Sequence, residues 1–399
     1  MKILLLNTYR HGGAGAACQR LQVALQEIGH EVNMLTAEDL GRRWPFYAER
    51  LSFLPFEHDK SVRFSFSLAN FGTDLSKHPL VQAADVIHLH WINQGFLSLQ
   101  GIHALAALGK PIIWTLHDMW AFTGGCHYSR GCTGYLRACG NCPYLRFQGP
   151  HDLSHRIWAR KKRMYSSDIQ FVTCSEWLRD VALSSSLLSF YPVKAIPNPI
   201  DTTVFKPSSD AERSAFRREL NIAPESRLLL FVAMKVSETR KGFHFLQEAL
   251  QLLKQQEPAR PIEIVVMGKS EPEALATLPY PVHALGMVQG ASALARVYGM
   301  ADVFVIPSLE DNLPNTVMES LACGTPVAGF NTGGIPEMVD DGVCGFIAPQ
   351  GDCKALAQAI ARVMEADQGL IRRAAREKVM KAYANRVVAT QYAALYNAH

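Results

Sequence analysis

Two acidic side chains with seven residues between them, Asp311 and Glu319, stand in the stretch Pro307-Ser308-Leu309-Glu310-Asp311-Asn312-Leu313-Pro314-Asn315-Thr316-Val317-Met318-Glu319. The apolar run Val303 to Ile306 ahead of them reads as a strand, and Thr316 to Cys323 reads as a helix. Pro314 suits the first helical turn. The backbone N–H groups of Asn315 and Thr316 then lie at a helix N-terminus, where partial positive charge favours an anion. Glu319, about one turn further in, can reach ribose hydroxyls from the same helix. A second cluster, Arg240-Lys241-Gly242, follows a strand and precedes a helix. Fixed cations and helix N-termini stabilise charge that develops on a departing phosphate oxygen. Lys241 is the first candidate for that work, with Lys235 or Arg240 as the second cation. No Asp-x-Asp triplet occurs, which agrees with stabilising such a leaving group without a catalytic metal.

Three further groups could carry chemistry. His11-Gly12-Gly13-Ala14-Gly15 follows the first strand, and glycines without a Cβ let the backbone approach a ligand. His117-Asp118 closes the strand Pro111 to Leu116. His88, His90 and Trp91 end the strand starting at Asp85, as acceptor contacts or loop anchors. Cys126, Cys132, Cys139 and Cys142 have the spacing C-x5-C-x6-C-x2-C. Four thiolates make a closed structural zinc site, expected to staple the loop after His117. Buried free thiols and redox-active thiols are the other two readings.

The elements that must position these groups alternate between strand and helix. Lys2 to Leu6 is a strand, Ala16 to Ile28 a helix and Glu31 to Leu35 a strand. Leu97 to Leu108 is a helix, and Gln170 to Cys174 and Val193 to Ile196 are the last strands of the first half. After the proline-bearing Pro197 to Ser209 the alternation restarts, with strands at Arg227 to Ala233 and Ile262 to Met267 around a helix at Phe243 to Gln255. Helices follow at Ala355 to Met364 and Leu370 to Tyr383. This pattern predicts an α/β protein with two tandem Rossmann-like domains facing a cleft, with ligands at the carboxyl ends of strands.

The chain has 399 residues, 48% hydrophobic and 19% charged, which suits two globular domains. Its net charge of +4 is too mild to argue for nucleic acid. No apolar run reaches the roughly 18 residues of a membrane span. Met1 to Asn7 reads as a core strand rather than a signal peptide. Nine cysteines, an odd number, argue against a disulfide framework. A cytoplasmic protein is expected, compatible with peripheral contact at the inner membrane face.

The acidic stretch, continued by Ala322-Cys323-Gly324-Thr325-Pro326-Val327 and Asn331-Thr332-Gly333-Gly334-Ile335-Pro336-Glu337, resembles glycosyltransferase family 4. The resemblance implies the GT-B architecture and sugar transfer, with retention of configuration, from a nucleoside-diphosphate sugar to a hydroxyl on an oligosaccharide or lipid-linked acceptor. It places Asp311 near the donor sugar, where Glu is usual and Glu310 is the neighbour that could serve, and Glu319 on the ribose. It places Lys241 beside the diphosphate, while Val236 occupies the position of the usual Arg. Gly12 and Gly13 match a Gly-Gly near the donor, Gly268 joins the donor-binding set, and His117 lines the sugar pocket. Asn198-Pro199-Ile200-Asp201 corresponds to the interdomain hinge. The domains are expected at 1–203 and 204–387, with a last helix, 388–399, returning to the first. The cysteine cluster resembles a subset linked to bacterial exopolysaccharide assembly. Rival readings are an epimerase of the same architecture, a catalytically silent sugar-nucleotide-binding subunit, and a zinc-dependent interaction module.

Overall fold

The structure, a computed structural model, describes residues 1–398. The chain divides into two compact units: Met1–Pro199 joined by the segment from Asn385, and Ile200–Ala384. The division falls between Pro199 and Ile200, within the hinge sequence and a few residues before the expected 203/204.

The first unit runs β1 (Lys2–Leu6), α1 (Gly12–Glu27), β2 (Glu31–Leu35), α2 (Trp44–Phe53), α3 (Pro79–Ala83), β3 (Val86–Leu89), α4 (Leu99–Ala106), β4 (Ile112–Leu116), α5 (Leu153–Met164), β5 (Ile169–Thr173), α6 (Glu176–Ser184) and β6 (Val193–Ala195). All six strands form one parallel sheet in the order β2-β1-β3-β4-β5-β6. Strand side chains alternate between faces, and β1 shows the consequence. Ile3 and Leu5 join a core with Leu21, Leu25 and Tyr392, while Leu4 and Leu6 join a separate core with Ile87, Leu89 and Trp114. A sheet buried on both faces needs near-continuous apolar strands, and β1, β3, β4 and β5 are such runs.

The second unit runs α7 (Asp210–Glu219), β7 (Arg227–Lys235), α8 (Phe243–Gln256), β8 (Ile262–Lys269), α9 (Pro272–Leu275), β9 (Val282–Gly286), α10 (Ala291–Met300), β10 (Val303–Ile306), α11 (Asn315–Ala322), β11 (Val327–Phe330), α12 (Ile335–Met338), β12 (Gly345–Ala348), α13 (Cys353–Glu365) and α14 (Gln368–Ala382). Its parallel sheet has the order β12-β11-β10-β7-β8-β9. Counted from β7 as first, that is the 3-2-1-4-5-6 order of a dinucleotide-binding sheet. The final helix, α15 (Asn385–Tyr396), belongs to the first unit, where Val388, Tyr392, Leu395 and Tyr396 are buried in its core.

Several boundaries differ from expectation. The glycine loop after β1 is itself the first turn of α1, which starts at Gly12 rather than Ala16. Helix α11 starts at Asn315 with Pro314 as its extended N-cap. Helix α15 starts at Asn385, ahead of the expected 388.

Candidate functional site

In the second unit the strand order reverses between β7 and β10, so connections leaving their carboxyl ends diverge and open a crevice. Both sequence motifs lie there. Arg240 and Lys241 occupy a short 3-10 turn, Thr239–Lys241, after β7. Glu310 and Asp311 lie between β10 and α11. Gly242 makes their meeting possible: its φ is 70°, and a Cβ there would stand 1.9 Å from the Pro307 carbonyl oxygen. A backbone bond from Leu309 N–H to Arg240 O, 2.8 Å, ties the two loops.

The charged groups meet across this junction. Lys241 Nζ lies 2.7 Å from Asp311 Oδ2, and an Arg240 guanidinium nitrogen lies 3.2 Å from Asp311 Oδ1. Arg240 also donates to the Glu310 carbonyl at 2.8 Å and to Glu238 Oε1 at 3.0 Å. Burial pushes the Asp311 carboxyl upward, but the adjacent Lys241 and Arg240 outweigh it and hold the group below the usual carboxylate range. Glu310 therefore contributes its backbone carbonyl, and Asp311 is the buried acid of the pair. Next to this cluster α11 begins. The N–H groups of its first residues, Asn315 and Thr316, precede any possible intrahelical carbonyl partner, and both residues are half-buried. Glu319 is buried on the same helix.

The glycine motif after β11 completes the junction. Gly333 has φ 55°, and a Cβ would lie 1.6 Å from the Asp311 carbonyl oxygen. Gly334 N–H donates to Asn312 O at 2.7 Å. Val236 is 1% exposed. The position where the family carries an arginine is thus a core position in this chain, and Arg240 is the second cation in contact with Asp311. Lys235, at the end of β7, is exposed and is not part of that contact. Gly268 has φ 128°, and a Cβ would stand 1.6 Å from Ala233 O. The constraint visible at Gly268 is this close approach of β8 to β7.

In the first unit the order reverses between β1 and β3. The loops leaving them are joined by Thr8 Oγ1 donating to Trp91 O, 2.9 Å, and Trp91 N–H donating to Asn7 Oδ1, 2.9 Å. Gly12 has φ 77°, and a Cβ on Gly12 or Gly13 would meet nothing within 4 Å, so the backbone at the start of α1 is open to approach. His117 follows β4. Its Nε2 lies 3.0 Å from His90 Nδ1, and its Nδ1 lies 3.5 Å from Cys174 Sγ. Burial lowers its pKa to about 4, so the imidazole is neutral at pH 7. His90 Nε2 and Asn93 Oδ1 are buried polar atoms without a hydrogen-bond partner among the described residues. Both residues line a cavity of about 10 Å³ with His117 and Asp118, room for about one water.

Asp118, His117's neighbour, serves the surrounding loops. It accepts from Trp91 Nε1 at 2.7 Å, Trp120 N–H at 2.8 Å and His127 Nδ1 at 2.6 Å. Burial raises its carboxyl, and His127 with the other donors more than reverses this. His88 faces inward, with Nδ1 2.7 Å from Tyr396 Oη and Nε2 2.7 Å from Thr115 Oγ1. It is an anchor for α15 rather than an acceptor contact. Sequence reading missed the Asp118–His127 and His88–Tyr396 links, since neither spacing carries a local signal. Glu238 was missed although it stands two residues from Arg240.

The zinc expectation finds no support among the described residues. Cys126, Cys132, Cys139 and Cys142 line one cavity of about 20 Å³, and all four are free thiols. Among the described residues, however, no group of three or more His, Cys, Asp or Glu is placed to hold a metal ion. Cys139 Sγ accepts the Gly124 N–H at 3.1 Å and Cys132 Sγ the Gly134 N–H at 3.4 Å. Burial pushes the Cys139 thiol up to about 11 and Cys142 up to about 12. The cysteines share a cavity, and the described residues do not form a coordination sphere around it.

Residues 11–204 match the model of Glycosyltransferase Family 4, and residues 226–366 match that of Glycosyl transferases group 1. The chain belongs to glycosyltransferase family 4. Among its relatives, a D-inositol 3-phosphate glycosyltransferase of Corynebacterium jeikeium is 28% identical over 66% of this chain and 63% of its own length. The amylovoran biosynthesis glycosyltransferase AmsK of Erwinia amylovora is 32% identical over 42% of this chain and 44% of its own length. The chain thus spans less than two thirds of the length of these relatives. The structure of Anabaena Alr3699/HepE in complex with UDP superposes with a TM-score of 0.66 at 17% identity, covering 100% of both chains. That likeness establishes the fold, two Rossmann-like domains of the GT-B class.

Proposed function

We propose that this family 4 member is a retaining glycosyltransferase. It would move a sugar from a nucleoside-diphosphate donor to a hydroxyl acceptor in bacterial cell-surface polysaccharide synthesis. The observation that carries the reading is the junction of Arg240, Lys241 and Asp311 beside the start of α11, at the strand reversal of a dinucleotide-type sheet. The diphosphate would take Lys241, which carries three donors on a flexible stem and can share them with Asp311. The amides of Asn315 and Thr316 add the positive end of α11. Glu319 would accept hydrogen bonds from the ribose hydroxyls. His117, neutral at pH 7, offers a hydrogen bond to a sugar hydroxyl without adding charge.

In the reaction the bond from the anomeric carbon to the phosphate oxygen breaks, and a bond to the acceptor oxygen forms on the same face. The acceptor's proton passes to the departing phosphate, so no second carboxylate pair is needed as nucleophile and acid. Lys241, Arg240 and the helix end stabilise the charge left on that phosphate. The polysaccharide context is supported by AmsK, whose own name places it in amylovoran biosynthesis.

The test is a thermal-shift screen of UDP-, GDP- and ADP-sugars, followed by turnover of the stabilising donor with candidate acceptors. The expected result is stabilisation by one nucleotide class, loss of that shift in Glu319→Ala, and transfer with retained configuration by NMR. A donor that binds but is never turned over would indicate a silent binding subunit instead. Conversion of the donor sugar without any acceptor would indicate an epimerase.

A further inference from the structure

Helix α2 has a buried inner side and an apolar outer side. Pro45, Glu49 and Phe53 face inward and are buried. Glu49 is the inward clasp: its carboxylate accepts the backbone N–H groups of Leu68 at 2.7 Å, Ala69 at 2.6 Å, Asn70 at 3.1 Å and Phe71 at 3.2 Å. The outer side needs a different explanation. Trp44, Tyr47, Leu51 and Leu54 recur at i, i+3, i+7 and i+10, a stripe about 80° wide at 100° per residue. All four are exposed, Leu51 by 67% and Trp44 by 58%. Two more exposed aromatic side chains come from neighbouring segments. Phe64, 64% exposed, lies under the Arg50 guanidinium at 4.6 Å. Phe147, 65% exposed, follows Arg146, whose N–H donates to Phe56 O at 2.8 Å.

The charges around this apolar surface are mainly of one sign. Arg42, Arg43, Lys60 and Arg146 are exposed. The nearby acids are largely committed, Glu49 to backbone amides and Glu57 to Arg63 at 3.0 Å. Asp59 is exposed and bonded to His58 Nδ1 at 3.0 Å. No helix among the described residues is long and apolar enough to cross a membrane. We infer that the outer side of α2, with Phe64 and Phe147, is an interfacial docking surface for a bilayer containing anionic lipid. Amphipathic helices of this kind lie in the interface plane with aromatic side chains at headgroup level and basic residues on the phosphates. A second copy of the chain fits less well, because a two-fold contact would set Arg42 and Arg43 near the same charges of its mate. The inference does not rest on the donor site, and loss of UDP binding would leave it standing.

The test is co-sedimentation of the full chain with vesicles of phosphatidylcholine alone or mixed with phosphatidylglycerol. Partitioning is expected to be at least about tenfold stronger on the anionic vesicles and to fall with added salt. Trp44→Ser with Leu51→Ser should lower it about tenfold, and Arg42→Gln with Arg43→Gln should weaken binding to the anionic vesicles alone. These side chains are exposed, so the circular dichroism spectrum should not change and confirms folding. Equal partitioning on both vesicle types, or unchanged binding by the Trp44/Leu51 variant, would overturn the inference. So would absent vesicle binding together with a concentration-dependent dimer that Leu51→Ser dissolves.

Discussion

The two units place their functional residues by one topological rule and fill the positions with opposite chemistry. In each, the groups lie at or beside the place where the strand order reverses, on and after β3 and after the adjacent β4 in the first unit and after β7 and β10 in the second. The first unit presents stacked imidazoles, His88, His90 and His117, with ring centroids 4.3 Å and 5.3 Å apart along the series. Burial lowers the pKa of all three, His88 to about 3 and His117 to about 4. The second unit presents a compensated ion cluster, in which Lys241 and Arg240 keep Asp311 ionised although it is buried. Under the proposed function, a site for neutral hydroxyls would exclude charge, whereas one for a diphosphate would store cations and hold them paired until the ligand arrives. Paired charges are costly to bury unless every partner is supplied, and the loops locked by Gly242 and Gly333 supply the necessary geometry.

That contrast can be broken in several ways. The largest effect is expected at Lys241, since removing one fixed charge from a leaving-group site costs about 100- to 1000-fold in rate. Lys241→Ala should lower kcat/KM by that amount in a steady-state assay with the true donor. Gly242→Ala should act on the fold instead. The left-handed backbone and the 1.9 Å approach to Pro307 O predict a loss of about 1–3 kcal/mol, read as a lower denaturant midpoint.

A third difference is acid sensitivity. The first unit's histidines titrate lower when folded than the usual 6.5, so the unfolded chain binds more protons as the pH falls below about 6.5. Stability is therefore fully present above that pH and declines toward pH 4, with a slope of at most about 1.4 kcal/mol per pH unit for each histidine. Asp311, held below the usual carboxylate range, contributes stability above its unfolded pKa that is lost only at lower pH. Calorimetry at pH 7 and pH 5 should move the first unit's transition most, with added UDP marking the second unit's transition by raising it. The smallest effect is expected from Asp311→Asn. Removing the negative partner of Lys241 should tighten UDP binding a few-fold by calorimetric titration while turnover falls.

Much of the fold was legible because parallel strands buried on both faces must be continuous apolar runs. Lys2 to Leu6 matched β1 without adjustment. Helices such as α5, α6 and α7 went unread even though Asp152, Ser175 and Ser209 cap them. Helices α5 and α7 are rich in charged residues and α6 is short, so the caps are the stronger signal. At the site, spacing and resemblance single out Lys241, Asp311 and Glu319 as candidates, but not the contact between Lys241 and Asp311, which depends on β7 and β10 being neighbours. Nor could it show that Val236 is a core residue, or that Gly333 is required by the Asp311 backbone. The four cysteines lie within seventeen residues of sequence, and the folded chain gathers them around one cavity.

The central claim is that the second unit's ion cluster and the first turn of α11 hold the donor's diphosphate. Calorimetric titration of UDP into the full chain and into Lys241→Ala, Glu319→Ala and His117→Ala tests it most directly. The account predicts at least about tenfold weaker binding in the first two variants and near-unchanged affinity in the third. Unchanged affinity in Lys241→Ala and Glu319→Ala, with loss in His117→Ala, would contradict it.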